Sequence, residues 1–215
     1  MTNSNLPAIK HFLKKRLQNP LPFENIENED IDENLKRFVT HLMQNPPYPI
    51  RICAVMVVLF EKKGQICLSF ILRPTASRVH PGQIAFPGGG REDQDIDLEA
   101  TAIRETVEEI GINVPTENIL GRLSDIYVGP SNSLITPIVA FLDHAPTYLA
   151  DPKEVAQVLE VSLSDLQNET NHSVKEIKTK LGAVKMPAFL IDEHNIWGAT
   201  ARILRELIKL LEELN

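Results

Sequence analysis

Apolar residues follow two spacings along this chain, one typical of helices and one typical of strands. A helical spacing covers residues 5–17, 31–44, 97–110 and 197–214. Short apolar runs bounded by turn residues predict strands at 51–60, 66–73, 119–128, 134–142, 174–179 and 184–191. Residues 155–168 fit a strand followed by a short helix. This mixture predicts an α+β fold, with a mixed sheet between helices.

The first part of the chain differs in pattern from the rest. Its two predicted helices are separated by the proline-rich and acidic stretch NPLPFENIENED, and NPPYP ends the second helix. We therefore interpret residues 1–48 as an N-terminal helical extension and residues 49–215 as one domain. Two roles stay open for the first 45 residues: capping a site, or forming a contact between copies in a homodimer.

Composition and charge exclude several classes of protein. The 43% hydrophobic and 24% charged content is ordinary for a soluble globular protein. A net charge of −7 argues against a general nucleic-acid binder, which normally has a basic face. An anionic small molecule stays possible, provided that local cations or a metal ion offset the overall repulsion.

Location is predicted from what the pattern lacks. The longest apolar run, residues 52–60, is too short to span a bilayer, so we expect no membrane partner. The first twenty residues lack the basic start and apolar core of a secretion signal. Cys53 and Cys67 suggest neither a disulfide framework nor a zinc cluster. A cytoplasmic location is expected.

A glycine segment, HPGQIAFPGGG at residues 80–90, holds four of the ten glycines. Glycine adopts positive φ without strain and lets a main chain approach a ligand closely. The segment alone fits an ordinary tight turn as well as a phosphate cradle.

The predicted helix after this segment carries clustered carboxylates. At about 100° per residue, its apolar residues share one face: Ala100, Ile103, Val107 and Ile110. Its glutamates share the other: Glu105, Glu108 and Glu109. Such glutamates repel one another, and the helix dipole disfavours anions in the last turn. The cluster therefore suits a hard divalent cation, Mg²⁺ or Mn²⁺, better than it suits helix stability.

Glycines followed by these carboxylates resemble the Nudix box, the signature of hydrolases that cleave nucleoside diphosphates linked to another moiety. The matching residues are Gly89, Arg104, Glu105, Glu108, Glu109 and Gly111. The resemblance implies an α/β/α sandwich. Ile96 stands where the family has a glutamate, and the spacing from Gly89 to Arg104 is one residue longer than usual. Asp95 or Asp97 is the candidate replacement for the missing carboxylate.

The segment before the Nudix box narrows the resemblance. Arg73, Arg78 and the following G-x-x-x-F-P-G-G at residues 82–89 are similar to the element found in coenzyme A pyrophosphatases. The resemblance implies hydrolysis of coenzyme A to 3′,5′-ADP and 4′-phosphopantetheine. Two alternatives stay open: a Nudix hydrolase of ADP-ribose, dinucleotides or nucleoside triphosphates, and a noncatalytic nucleotide-binding Nudix module.

The resemblance also assigns roles within the Nudix box. Glu105 and Glu109 are the expected metal ligands, with Glu108 assisting catalysis or binding a second ion. Arg104 either pairs with a carboxylate of the box and holds it in position or is an exposed helix arginine.

Upstream residues are expected to bind the substrate. Arg73 and Arg78 either grip phosphates or lie on the surface, and Gly88 and Gly89 let the backbone pass close to the diphosphate. His80 contacts phosphate, transfers a proton or is an ordinary loop residue. The general base stays open between Glu154 and a glutamate of the box.

Overall fold

The computed structural model of the protein describes residues 6–18, 49–77, 80–179 and 182–214. Its helices are α1 (Leu6–Arg16), α2 (Leu98–Ile110), α3 (Leu163–Gln167) and α4 (Gly198–Glu212). Its strands are β1 (Arg51–Lys62), β2 (Gln65–Leu72), β3 (Ile84–Ala85), β4 (Gly88–Gly90), β5 (Ile119–Arg122), β6 (Ile126–Val128), β7 (Ser133–Leu142), β8 (Gln157–Ser162), β9 (His172–Thr179), β10 (Gly182–Ile191) and β11 (His194–Trp197). The helix predicted at 31–44 lies outside the described residues.

Strand β1 is the centre of an eight-stranded mixed sheet. One edge of β1 pairs in parallel with β7 along ten residues. The other edge is shared, because β2 pairs with its C-terminal end and β4 pairs antiparallel with Cys53, Ala54 and Val55. The predicted mixed sheet is confirmed. The glycines therefore form a strand at the point where β2 has diverged from β1.

Alternate residues of β1 point into two separate cores. Val57 and Leu59 pack with α1 and α4 on one face, whereas Met56 and Val58 pack with α2 on the other. This alternation is the period-2 pattern of a strand buried on both faces, and it confirms the α/β/α arrangement. A second sheet of β9, β10 and β11 packs beside α4.

Helix α1 contributes to the same core as the central sheet. Its Ile9 and Leu13 are buried in the cluster that also contains α4 residues. The division of the chain at residue 48 stays a prediction. No helix in the described parts of the chain is long and apolar enough to cross a membrane.

Two connections differ from the sequence prediction. The predicted five-residue link between the first two strands is a two-residue turn, in which Lys63 and Gly64 both have positive φ. Such turns match the twist of the strands that they join. The single strand predicted at 119–128 is divided into β5 and β6, which pair separately with β7.

Candidate active site

Helix α2 begins and ends as the sequence predicts. The Asp97 carboxylate accepts a hydrogen bond from the Ala100 N–H at 2.8 Å and caps the first turn. Gly111, at φ 72°, ends the helix and donates to the Val107 carbonyl. A positive φ at this position favours glycine.

The buried face of α2 is rotated from the predicted one. Ala102 and Thr106 are fully buried, whereas Val107 is 42% exposed. The small side chains of Ala102 and Thr106 allow the helix to lie close to β1 and β4, so this face packs although its neighbours are more hydrophobic. The rotation carries Glu109 into the protein interior.

Glu109 is a buried carboxylate, 1% exposed. It accepts the Gly88 N–H at 2.8 Å and a hydrogen bond from Arg73 Nη2 at 3.2 Å. Burial raises its pKa to about 7, against the opposing effects of Arg73 and of the Gly88 hydrogen bond. The interpretation that all three glutamates lie on a polar face was therefore wrong for Glu109.

Glu105 lies against the glycine strand, β4. A Cβ atom on Gly89 would come within 2.4 Å of Glu105 Oε1, so the missing side chain provides the space for this carboxylate. Arg104 Nη1 donates to Glu105 at 3.0 Å and to Glu108 at 2.9 Å. Burial raises the pKa of Glu105, while the Glu108 side chain is 53% exposed.

Arg104 connects the loop before α2 to the glutamates. Its Nε and Nη2 donate to the two oxygens of Asp95, each at 3.0 Å, and Nη2 also donates to the Gly90 carbonyl at 2.9 Å. This paired geometry is the strong form of an arginine–carboxylate contact. Arg104 is thus engaged in the site rather than exposed on the helix.

The carboxylate paired with Arg104 is Asp95, while Asp97 caps the helix. Asp95 is buried, and Arg104 holds its pKa well below the usual range. Ile96 is 85% exposed. Arg104 also contacts the carbonyl of Gly90, the residue after the Gly89 from which the box was counted.

Of the predicted substrate-binding residues before the glycine strand, Arg73 contacts a glutamate of the site. Arg73 contacts Glu109 and the Gly88 carbonyl at 3.4 Å, so it neutralises a carboxylate instead of presenting a free cation. His80 has a positive φ of 52°. Its pKa is lowered, first by burial and then by the charge of nearby Arg73. Arg78 lies outside the described residues.

The acidic groups fit a divalent cation by their chemistry, although they are not gathered into a finished ligand set. Within the described residues, no three His, Cys, Asp or Glu groups are placed to hold a metal ion. Burial is the main cause of the raised pKa values of Glu105 and Glu109. Repulsion from the Glu154 carboxylate is a smaller effect that raises both. A hard cation would relieve this repulsion through oxygen ligands.

Comparisons with known proteins identify the family of the chain. The NUDIX domain matches residues 51–181. The uncharacterized Nudix hydrolase NudL of Photorhabdus laumondii is 31% identical over 189 residues, which cover 83% of this chain and 98% of that protein. The mitochondrial coenzyme A diphosphatase NUDT8 of Mus musculus is 34% identical over 164 residues, covering 74% of this chain and 77% of the relative.

Solved structures show the same fold. A MutT/nudix family protein from Enterococcus faecalis superposes with a TM-score of 0.54 at 19% identity, covering 89% of this chain and 71% of its own. The NUDIX domain of Shewanella oneidensis NrtR, in complex with ADP ribose, gives 0.52 at 15% identity, covering 81% and 97%. The fold and the acidic helix define a Nudix hydrolase. The chain belongs to the Nudix family, whose hydrolases act on small nucleotide diphosphates with divalent metal ions.

Two neighbouring glycines allow a test of the Glu105 position. We expect Gly89→Ala to lower kcat on the order of tenfold to a hundredfold with little change in Tm, because its Cβ would displace only the end of a flexible side chain. Gly88→Ala is the matched control. Gly88 has φ 154°, and a Cβ there would meet the Ala54 carbonyl at 2.3 Å, so Tm should fall. Enzyme kinetics and thermal unfolding on both variants make the comparison.

An active but less stable Gly89→Ala protein would contradict this assignment. That result would mean that the glycine strand serves the backbone turn alone.

Proposed function

We propose that the protein hydrolyses the diphosphate bond of coenzyme A or its derivatives, giving 3′,5′-ADP and 4′-phosphopantetheine or its acyl form. The observation that carries the proposal is the alignment of Glu105 and Glu109 along the glycine strand, which follows the segment similar to coenzyme A pyrophosphatases. Relatives named as coenzyme A diphosphatases support the substrate class.

The carboxylates of α2 are proposed to hold Mg²⁺ or Mn²⁺, with Glu105 and Glu109 as ligands. Glu108 is proposed to assist catalysis or to bind a second ion. When bound, the metal would neutralise charge on the diphosphate and activate water. Arg104 fixes the carboxylate of Glu105, and Arg73 stabilises the charged form of Glu109. Both arginines therefore act through the glutamates in this proposal.

Proton removal from the attacking water needs a base on the open side of these glutamates. Glu154 is exposed and close enough to affect the pKa of both Glu105 and Glu109, so it is a candidate alongside Glu108. His80 and the backbone of Gly88 and Gly89 are proposed to contact the substrate phosphates. The Arg78 contact, a homodimer and a cytoplasmic location stay predictions.

Product analysis tests the proposal directly. The full chain is incubated with coenzyme A, ADP-ribose, NADH or dNTPs in Mg²⁺ or Mn²⁺, and products are identified by mass spectrometry. We expect 3′,5′-ADP and 4′-phosphopantetheine to form fastest, with no turnover after chelation of the metal. If ADP-ribose is cleaved faster than coenzyme A, the proposed substrate is wrong and the alternative Nudix activity is favoured. If no compound of the panel is cleaved in a metal-dependent way, a noncatalytic module is favoured.

A further inference from the structure

Arg51, at the start of β1, lies across the glycine strand on the face opposite Glu105. A Cβ atom on Gly90 would come within 2.7 Å of Arg51 Nε and Nη2, whereas one on Gly89 would meet Glu105. Neighbouring residues of a strand point to opposite faces. The missing side chains thus make room for an anion on one face and a cation on the other.

Arg51 differs from the other described arginines around this strand. Arg73 is bonded to Glu109, Arg91 to the carbonyls of Asp95 and Ile96, and Arg104 to Asp95. Arg51 is exposed, and no hydrogen bond or ion pair joins its guanidinium to another described residue. Of these four arginines, Arg51 is the one whose fork is open to a ligand.

An accessible apolar strip lies on the same face as Arg51. Val55 of β1 and Ile135 of β7 belong to this face by register, and both are partly exposed. Further along the same face, Val57 and Val139 are fully buried. Val55 and Ile135 therefore offer accessible apolar surface beside the Arg51 cation, which suits a ring system.

The glutamates of α2 are close to Arg51, across the glycine strand. Glu105 lies against Gly89 and Arg51 lies against Gly90, so the two charges stand beside consecutive residues of the glycine strand, on its opposite faces. For a nucleotide whose diphosphate lies at the glutamates, as in the proposed reaction, only the bare glycine strand separates that diphosphate from Arg51.

We propose that Arg51 binds the phosphate that is not cleaved, the 3′-phosphomonoester of the nucleotide, and makes the enzyme prefer 3′-phosphorylated substrates. The inference rests on the proposed function. A planar guanidinium binds two oxygens of a terminal phosphate at once, which a lysine cannot match. The base of the nucleotide packs on Val55 and Ile135.

The test compares coenzyme A with dephospho-coenzyme A, which lacks the 3′-phosphate. In Arg51→Ala, kcat/KM for coenzyme A should fall about tenfold to a hundredfold, which is the scale of a lost charged hydrogen bond. The kcat/KM for dephospho-coenzyme A should not change. Arg51→Lys should retain part of the preference. Arg122→Ala, an exposed arginine of β5, is the control and should change neither substrate.

An equal loss on both substrates, or an unchanged preference in Arg51→Ala, would overturn the inference. Calorimetry separates it from the proposed function, because binding of 3′,5′-ADP and 5′-AMP requires no cleavage. If the wild-type protein cleaves neither coenzyme but prefers 3′,5′-ADP, and Arg51→Ala abolishes that preference, the Arg51 assignment stands and the proposed reaction fails. Equal binding of the two nucleotides by the wild-type protein overturns the assignment.

Discussion

Glu105→Gln should lower kcat by about a hundredfold or more while the protein stays folded. Glutamine keeps the shape of the side chain but removes the charge that would bind the metal. Because burial raises the pKa of Glu105, the neutral side chain relieves a desolvation penalty, and Arg104 keeps its contacts with Asp95 and Glu108. Steady-state kinetics and thermal unfolding measure the two effects.

Glu99→Gln is the matched control for Glu105→Gln. Glu99 is exposed in the first turn of the same helix and should tolerate the change in both measurements. Turnover by Glu105→Gln close to that of the wild type would remove Glu105 from the ligand set.

The second large effect is expected at Asp95. Asp95→Ala leaves Arg104 without its paired carboxylate, which should reduce the free energy of unfolding by on the order of 3 kcal/mol. The activity per folded molecule should also fall, because Arg104 then holds Glu105 less firmly. Asp97→Ala removes only a helix cap, which costs about 1 kcal/mol and leaves kcat intact.

Acid unfolding gives a second measure of Asp95. Its folded-state pKa is depressed below the usual 3.8, so its contribution to stability is present above that pH and is lost as the pH falls towards the folded value. The stability difference between the wild-type protein and Asp95→Ala should shrink over this acid range. Equal effects of the Asp95 and Asp97 substitutions at neutral pH would refute the assignment of Asp95 as the partner of Arg104.

Features set by neighbouring residues could be predicted from the sequence. The start of α2 follows from Asp97 and its end from Gly111, since both caps act within one turn. Long apolar runs likewise identified β1 and β7. The order of glycines and glutamates was sufficient for the Nudix resemblance.

Features that depend on residues distant in the sequence could not be predicted. Arg73 and Glu109 are far apart along the chain, so neither position shows that the arginine is committed to a buried carboxylate. Helical periodicity ranked Val107 above Thr106 for burial, yet close approach to the sheet favoured the smaller side chain. The position of Arg51 against Gly90 has no local signal, because it arises from the pairing of β1 with the glycine strand.

The parallel pairing of β1 with β7 also has a consequence for biosynthesis. About seventy residues separate the two strands, and β7 is the neighbour of ten of the twelve residues of β1 along one edge. During translation, that edge lacks its partner until β7 has left the ribosome. Exposed edges of apolar strands promote association between chains, so the nascent protein is most open to aggregation during this interval, and the central sheet closes late.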